Sequence, residues 1–578
     1  MNSSNAQKIE KSIPARIVVG VTGHRRLQEE EAVNGAIGKA LELIKSEARL
    51  AHTEILFTVL SPLAEGADRL VAHQVLECPG SELEVVLPMR EEVYLDDFKK
   101  DQSKKEFKDL LHHVQVKHVK RLKARETKQE SYRSAGRYVV DHCDVLIALW
   151  DGDPAAGVGG TGEIVEYAVE QKCPMLWIDT KRSHGIQFRF AKSLLSELHH
   201  LDRYNAEKVD EPQIKAKISR QYRRLVRRAT QSGYLSQTIK DIYKTGLSNY
   251  ARADTLAQKY QRRYNAAVLA IYGLAAAAVG VAAIQIFEHG GSHGVLSSES
   301  VSLGWLFRML PGLEALLMLI VLVIIQRGVS GNWQEKYLEY RYLAERFRAA
   351  MFTALVADEH GVMSSYRRAV RSSPSGNWVM LALYSAWNRA SAPGALSGDL
   401  EGLKKLLSEV WVQGQIAYHA SKHDATRAKH NILSFTGGSL FVLAVVAALI
   451  HLFGNYLPDS LLHMTAGSSP NSISASVRHG SEILKELAGS THNGMIYLAI
   501  ILPAVGGAVG AIRSHRDYKR VSTRSHDTAC QLEDIKQKIR EAKAMESLRL
   551  HVRAAQDIML RENEDWRSLL WFHELELP

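Results

Sequence analysis

Three short stretches combine glycines with hydroxyl, carboxylate and cationic side chains, a mixture suited to cradling a phosphate and a ribose. In "GVTGHRRL", Gly20 and Gly23 let the backbone approach closely, and His24 and Arg25 add donors before a helix start. In "SPLAEGADRLVAHQVLE" (61–77), Gly66 suits a strained turn, and Glu65, Asp68 and Arg69 are expected to face a crevice. In "WDGDPAAGVGGTGEIVEYA", Gly157, Gly159, Gly160 and Gly162 form a flexible loop opening a helix. There Thr161 offers a hydroxyl, and Glu163 a carboxylate for a ribose hydroxyl or a bound water. A glycine pair after a strand is as often packing punctuation as a binding loop, so agreement among the three is what counts. With Thr22, Ser61, Ala67 and Asp151 these residues make up the candidate ligand-binding set.

Such loops work together only at one edge of a sheet. Strand-like runs "RIVVGVT", "EILFTVL", "LEVVLP", "DVLIALW" and "PMLWID" alternate with helical patterns over 29–51, 66–77, 131–142 and 161–171. Alternation of this kind predicts an α/β, Rossmann-like parallel sheet over 15–180, with ligands beyond the carboxyl ends of its strands.

The rest of the chain is of another kind. Four apolar runs, 266–287, 305–326, 432–454 and 494–512, are each about 20 residues long, enough to cross a bilayer. They predict an all-α membrane region with four transmembrane helices. The 288–304 connection has no Lys or Arg, whereas Lys259, Arg262 and Arg263 precede the first run and Arg327, Lys336 and Arg341 follow the second. The second pair repeats this bias, with Lys422, Arg427 and Lys429 before it and Arg513, Arg516, Lys519 and Arg520 after it. The bias predicts a multi-pass plasma (inner) membrane protein with both termini cytoplasmic.

The membrane part reads as a duplication: each half has a polar helix entering, two spans, and a long polar helix leaving that is expected to continue its span. The expected order is the sheet domain, a basic helical stalk (181–250), a first two-span module (251–370), a linker (371–410) and a second two-span module (411–578). Glu314 lies inside the second span, near Arg308, as either a pore-lining carboxylate or half of an interfacial pair. Gly506 and Gly510 form a GxxxG in the fourth.

Four cysteines, Cys78, Cys143, Cys173 and Cys530, are scattered and suggest neither a disulfide framework nor a metal site. The histidines show no metal-binding spacing, so no metal and no cofactor are expected. The formal charge of +10 is concentrated beside the spans and in 215–230. That distribution fits headgroups better than nucleic acid, and no nucleic-acid partner is expected.

Together the three loops resemble the SLOG superfamily, the nucleotide-binding fold shared by Lonely Guy phosphoribohydrolases and DNA-processing proteins. Ser61, Ala64, Gly66, Asp68, Ala72 and His73 carry the likeness to the latter, with Pro62 where glycine is usual. Gly159, Gly160, Gly162 and Glu166 resemble the ribohydrolase loop, with Glu163 at its threonine position. The membrane region is similar to SLATT two-span effector domains of bacterial conflict systems, through "VWVQGQIAYHASKHD" and Glu562 and Trp566 near the C-terminus. The resemblance implies a sensor-effector. A nucleotide or NAD-derived signal would gate a pore of oligomerised spans, a homo-oligomer acting in antiviral defence. The alternative is a membrane-anchored nucleotide N-glycosidase using Glu166 and Arg133, a reading disfavoured by the departure at Glu163.

Overall fold

The structure, a computed structural model, describes residues 12–154, 157–181, 185–189, 192–231, 237–290, 304–356, 377–387, 400–454 and 475–570. Of the connections expected on the far side of the membrane, 291–303 and 455–474 lie outside them, as do 371–376 and 388–399 of the expected linker. So do the side chains of Glu562 and Trp566. The chain divides into two compact units, Met1–Ala253 with Tyr342–Leu403, and Asp254–Arg341 with Lys404–Pro578.

The first unit is built on β1 (Ala15–Gly23), β2 (Ile55–Ser61), β3 (Glu82–Leu87), β4 (Val116–Arg121), β5 (Val145–Trp150), β6 (Met175–Asp179) and β7 (Ile186–Arg189). Their order is β4-β3-β2-β1-β5-β6-β7, parallel except for the β6–β7 pair. Between these strands come α1 (Glu30–Ala48), α2 (Ala67–Leu76), α3 (Glu91–Leu95), α4 (Asp101–Leu111), α5 (Lys128–His142) and α6 (Thr161–Glu170). The inner strands are continuous apolar runs because both faces are covered: Val19, Val59, Val85 and Ile147 have no exposed surface. The α/β fold is as expected, with β4 and β7 added. β4 reads "VKHVKR", a half-exposed edge strand whose lysines discourage further pairing.

Helices outside 15–180 also belong to this unit, and two of them pack on the sheet domain. α7 (Lys192–Ala206), in the expected stalk, is pinned by Asn205, which accepts from the Ile13 amide (3.0 Å) and donates to the Ile13 carbonyl and Thr53 Oγ1 (both 2.8 Å). The helix Asn377–Trp387 falls in the expected linker, yet every residue from Trp378 to Trp387 is buried. Ser385 Oγ accepts the β1 amide of Arg16 at 2.8 Å, and Tyr384 donates to Glu84 at 3.0 Å. A run that is apolar all round and too short to cross a bilayer belongs in a core. After α7 comes α8 (Glu211–Gln231).

Among the described residues four helices are long and apolar enough to cross a membrane, within Lys240–Gln285 (the first part of which belongs to the first unit), Arg308–Ser330, Leu400–Leu452 and Gly494–His515. Many of their apolar side chains are exposed, Phe435 by 78%, as lipid contact requires, while Val268, Ile271 and Val321 are buried between helices. A Cβ added at Gly506 would stand 3.6 Å from Leu440 Cβ and 3.8 Å from the Gly437 carbonyl, whereas one at Gly510 would meet nothing within 4 Å. Half of the GxxxG is therefore a helix contact.

The polar helices do not continue their spans. Asn332 (φ 50°) separates the second span from Trp333–Thr353, and Asp517 (φ 40°) separates the fourth from Tyr518–Glu541. The hydrogen bonds match at the two breaks. Each left-handed residue donates its amide three residues back, to Val329 (3.0 Å) or Ser514 (3.0 Å). Each then accepts from four residues ahead, Lys336 (2.9 Å) or Val521 (3.1 Å). The common pattern agrees with the duplication read from the order of features.

Candidate functional site

Chain progression reverses between β1 and β5, so the crevice beyond their carboxyl ends is the topological switch point of the sheet. Gly23 pairs with Leu149 in register, and β1 and β5 end at nearly the same level. The His24 amide donates to the Leu149 carbonyl (3.3 Å), and the Ala67 amide at the start of α2 donates to the His24 carbonyl (3.1 Å). The first two loops are thus stitched together through backbone.

The glycines permit this closeness. A side chain on Gly23 would stand 2.4 Å from Ala67 Cβ, and one on Gly66 (φ +79°) would stand 2.5 Å from the carbonyls of His24 and Arg25. Gly20 lies deeper in β1, where a Cβ would overlap Cys143 and Val139 at 2.7–2.8 Å, so it serves helix packing. Thr22 is buried beside it in the strand.

Asp68 and Arg69 are turned inward. Asp68 Oδ2 accepts the Ala64 amide at 3.1 Å and Ser61 Oγ accepts the Leu63 amide at 3.0 Å, which fixes the turn into α2. Burial pushes the Asp68 carboxyl up from 3.8 to about 7, against the pull of the Ala64 amide, Arg25 and Arg69. Arg69 donates to the Leu63 carbonyl (3.1 Å), Ser103 (2.9 Å) and Glu106 (2.8 Å) and lies over the Phe98 ring. With 3% of its side chain exposed it braces α2 on α4, and Glu65 accepts from the same Ser103.

The third loop joins through Tyr132 of α5, which the sequence reading passed over. The Arg25 guanidinium lies 5.0 Å from the centre of its ring, and a Cβ on Gly159 (φ +78°) would stand 3.3 Å from Tyr132 Cβ. The same Cβ would be 2.8 Å from the Gln129 carbonyl, so this loop needs glycine to lie against α5. Tyr132 donates to Asp97, which also pairs with Lys128 at 2.6 Å. Glu163 closes the loop: it accepts the Gly159 amide at 2.7 Å and pairs with Arg133 at 2.6 Å and Arg137 at 3.7 Å. Glu163, expected as a carboxylate for a ribose hydroxyl or a bound water, thus also braces its own loop. Gly160 precedes the first turn of α6, which begins at Thr161 and Gly162 with amides characteristic of an anion-favouring helix start.

At the mouth stand His24, Asp151 and Lys181. His24 Nε2 lies 3.1 Å from Asp151 Oδ1 and 3.3 Å from the Asp151 amide, and Lys181 Nζ lies 3.3 Å from Oδ2. Burial raises the Asp151 carboxyl, but the Asp153 amide, His24 and Lys181 outweigh it and hold it below its ordinary value. Lys181, just past β6, is a second residue the reading missed; its only sequence signal is its place at a strand's carboxyl end. Of the pair named for glycosidic cleavage, Glu166 is exposed and Arg133 pairs with Glu163. In the second unit Glu314 accepts from Gln285 of the preceding span at 3.1 Å, a polar contact inside the apolar region and not a pair with Arg308.

No protein-family model matches the chain, and no curated protein matches it. The functional reading therefore rests on the geometry and on the three loops.

Proposed function

We propose that the first unit is a sensor for a nucleotide or NAD-derived anion, and that its occupancy gates a pore of oligomerised spans in the second. The observation that carries the reading is the meeting of three glycine-bearing loops at one switch point, walled by Tyr132. A rim of donors, the Arg25 and Lys181 cations with the His24 ring, suits a phosphate, the start of α6 offers amides, and Asp151 is an ionised acceptor for a hydroxyl. Matched breaks at Asn332 and Asp517 support the gating half, because each is a joint at which a polar helix can reorient against its span. The antiviral setting rests on the resemblance to SLOG and SLATT proteins.

Calorimetry of the full chain in detergent, with a panel of adenine nucleotides and dinucleotide fragments, tests the sensor. Flux from proteoliposomes tests the gate: ions leak when the bound nucleotide is added and not before. Failure of every nucleotide to bind overturns the reading. Steady release of free base by the purified chain, lost in Glu166→Gln, would favour the glycosidase instead.

A further inference from the structure

α8 carries a charge pattern that neither the sheet nor the candidate crevice uses. It contains Lys215, Lys217, Arg220, Arg223, Arg224, Arg227 and Arg228, and its only acidic residue is Glu211 in the first turn. Burial sorts its faces. Ile214 and Ala229 are buried, and Ile218, Tyr222, Leu225 and Val226 are half-buried on the same side. Arg220, Arg223, Arg224 and Arg227 are exposed, and at 3.6 residues per turn they fall within a sector of about 100°. Among the described residues no acidic side chain pairs with these four, and Arg223 bonds only to the Ser219 carbonyl of its own helix, at 3.3 Å. From Arg220 to Arg227 the array extends about 10 Å along the axis.

We infer that this face of α8 is a docking surface for the anionic headgroups of the bilayer in which the chain's own apolar helices sit. Two observations select the bilayer. Among the described residues four helices of the same chain are long and apolar enough to cross a membrane, so a bilayer is the anionic surface to which the chain that carries α8 is attached. The exposed face also holds no aromatic ring, only Arg, Lys, Ala, Ser, Thr, Pro and Gln, so it can meet a plane of phosphates but has no platform for stacking bases. A row of guanidiniums on one side of a helix held by its other side matches a flat, repeating, negatively charged surface.

The test uses the full chain in nanodiscs of phosphatidylcholine alone, or of equal parts phosphatidylcholine and phosphatidylglycerol. Ala216, exposed on the same side one turn before Arg220, is replaced by Cys in a Cys78→Ser, Cys530→Ser background, and its reaction with a water-soluble maleimide is timed. Phosphatidylglycerol should slow labelling about tenfold, and about 0.5 M salt should restore the rate. Arg220→Gln, Arg223→Gln and Arg227→Gln together should abolish the lipid dependence, while the triple Lys variant keeps it and shows that the helix still folds. Equal rates in the two lipid mixtures overturn the inference. So does protection produced by a short nucleic-acid duplex but not by phosphatidylglycerol, which would assign the face to nucleic acid.

Discussion

Glu163 accepts the amide of Gly159, four residues before it, at 2.7 Å, so the side chain opening α6 closes the loop that leads into it. The other carboxylate oxygen holds Arg133. Glu163→Gln retains an acceptor but loses the charge. It should weaken nucleotide binding about tenfold by calorimetry, with the fold intact by circular dichroism.

Gly159→Ala places a methyl group 2.8 Å from the Gln129 carbonyl, on a backbone at φ +78° that side chains rarely adopt. Local stability should fall by about 2 kcal/mol, seen as faster amide exchange over 157–170. Gly157→Ala is the control, because a Cβ there meets nothing within 4 Å. Equal exchange in the two variants would place the loop away from α5.

Asp68 makes the first unit sensitive to pH. Its carboxyl rises from 3.8 to about 7 in the folded chain, so the folded state holds a proton that the unfolded state has released. Stability from this group is complete below pH 4 and is lost as pH rises to 7, on the order of 4 kcal/mol in total. Asp68→Asn keeps an oxygen for the Ala64 amide and removes the ionisation. Amide exchange over 61–76 should be slower in the variant than in the wild type at pH 8, after correction for the intrinsic rates, and similar at pH 4.

Ser385→Ala leaves the buried Arg16 amide without its acceptor, at a cost of about 1–3 kcal/mol. The loss should appear as faster exchange at the start of β1. Deleting 377–387 should expose the apolar surface it covers and make the sheet domain aggregate, as dye binding would report. A soluble, stable 1–206 fragment would count against this.

Asn332 and Asp517 hold left-handed backbone without the freedom of glycine. Asn332→Gly and Asp517→Gly should preserve the breaks and leave thermal stability in detergent equal or higher. The Ala variants should lower stability by about 1 kcal/mol each. If the Ala variants are as stable as glycine, the helices run straight through these positions.

The sheet, its crossover helices and the four long apolar helices were legible in the sequence because burial imposes a period or an unbroken apolar run on each. β4 was hidden because an edge strand has no such run, and Lys117 and Lys120 break its pattern. A repeated order of features was visible in the sequence, whereas the breaks at Asn332 and Asp517 lay in single backbone angles that composition does not encode. At the candidate site, sequence placed three loops at the carboxyl ends of the strands. Only tertiary structure decided the role of each side chain. Arg69 and Asp68 lie inward because Ser103, Glu106 and the Ala64 amide satisfy them there. Glu163 braces its loop because the Gly159 amide and Arg133 lie within reach. Tyr132 and Lys181 join the site from elements distant in sequence, and the 377–387 helix returns to β1 across more than 350 residues. Local sequence sets the shape of an element through its own backbone and hydrophobic period. Which polar groups meet depends on long-range packing that no local window contains.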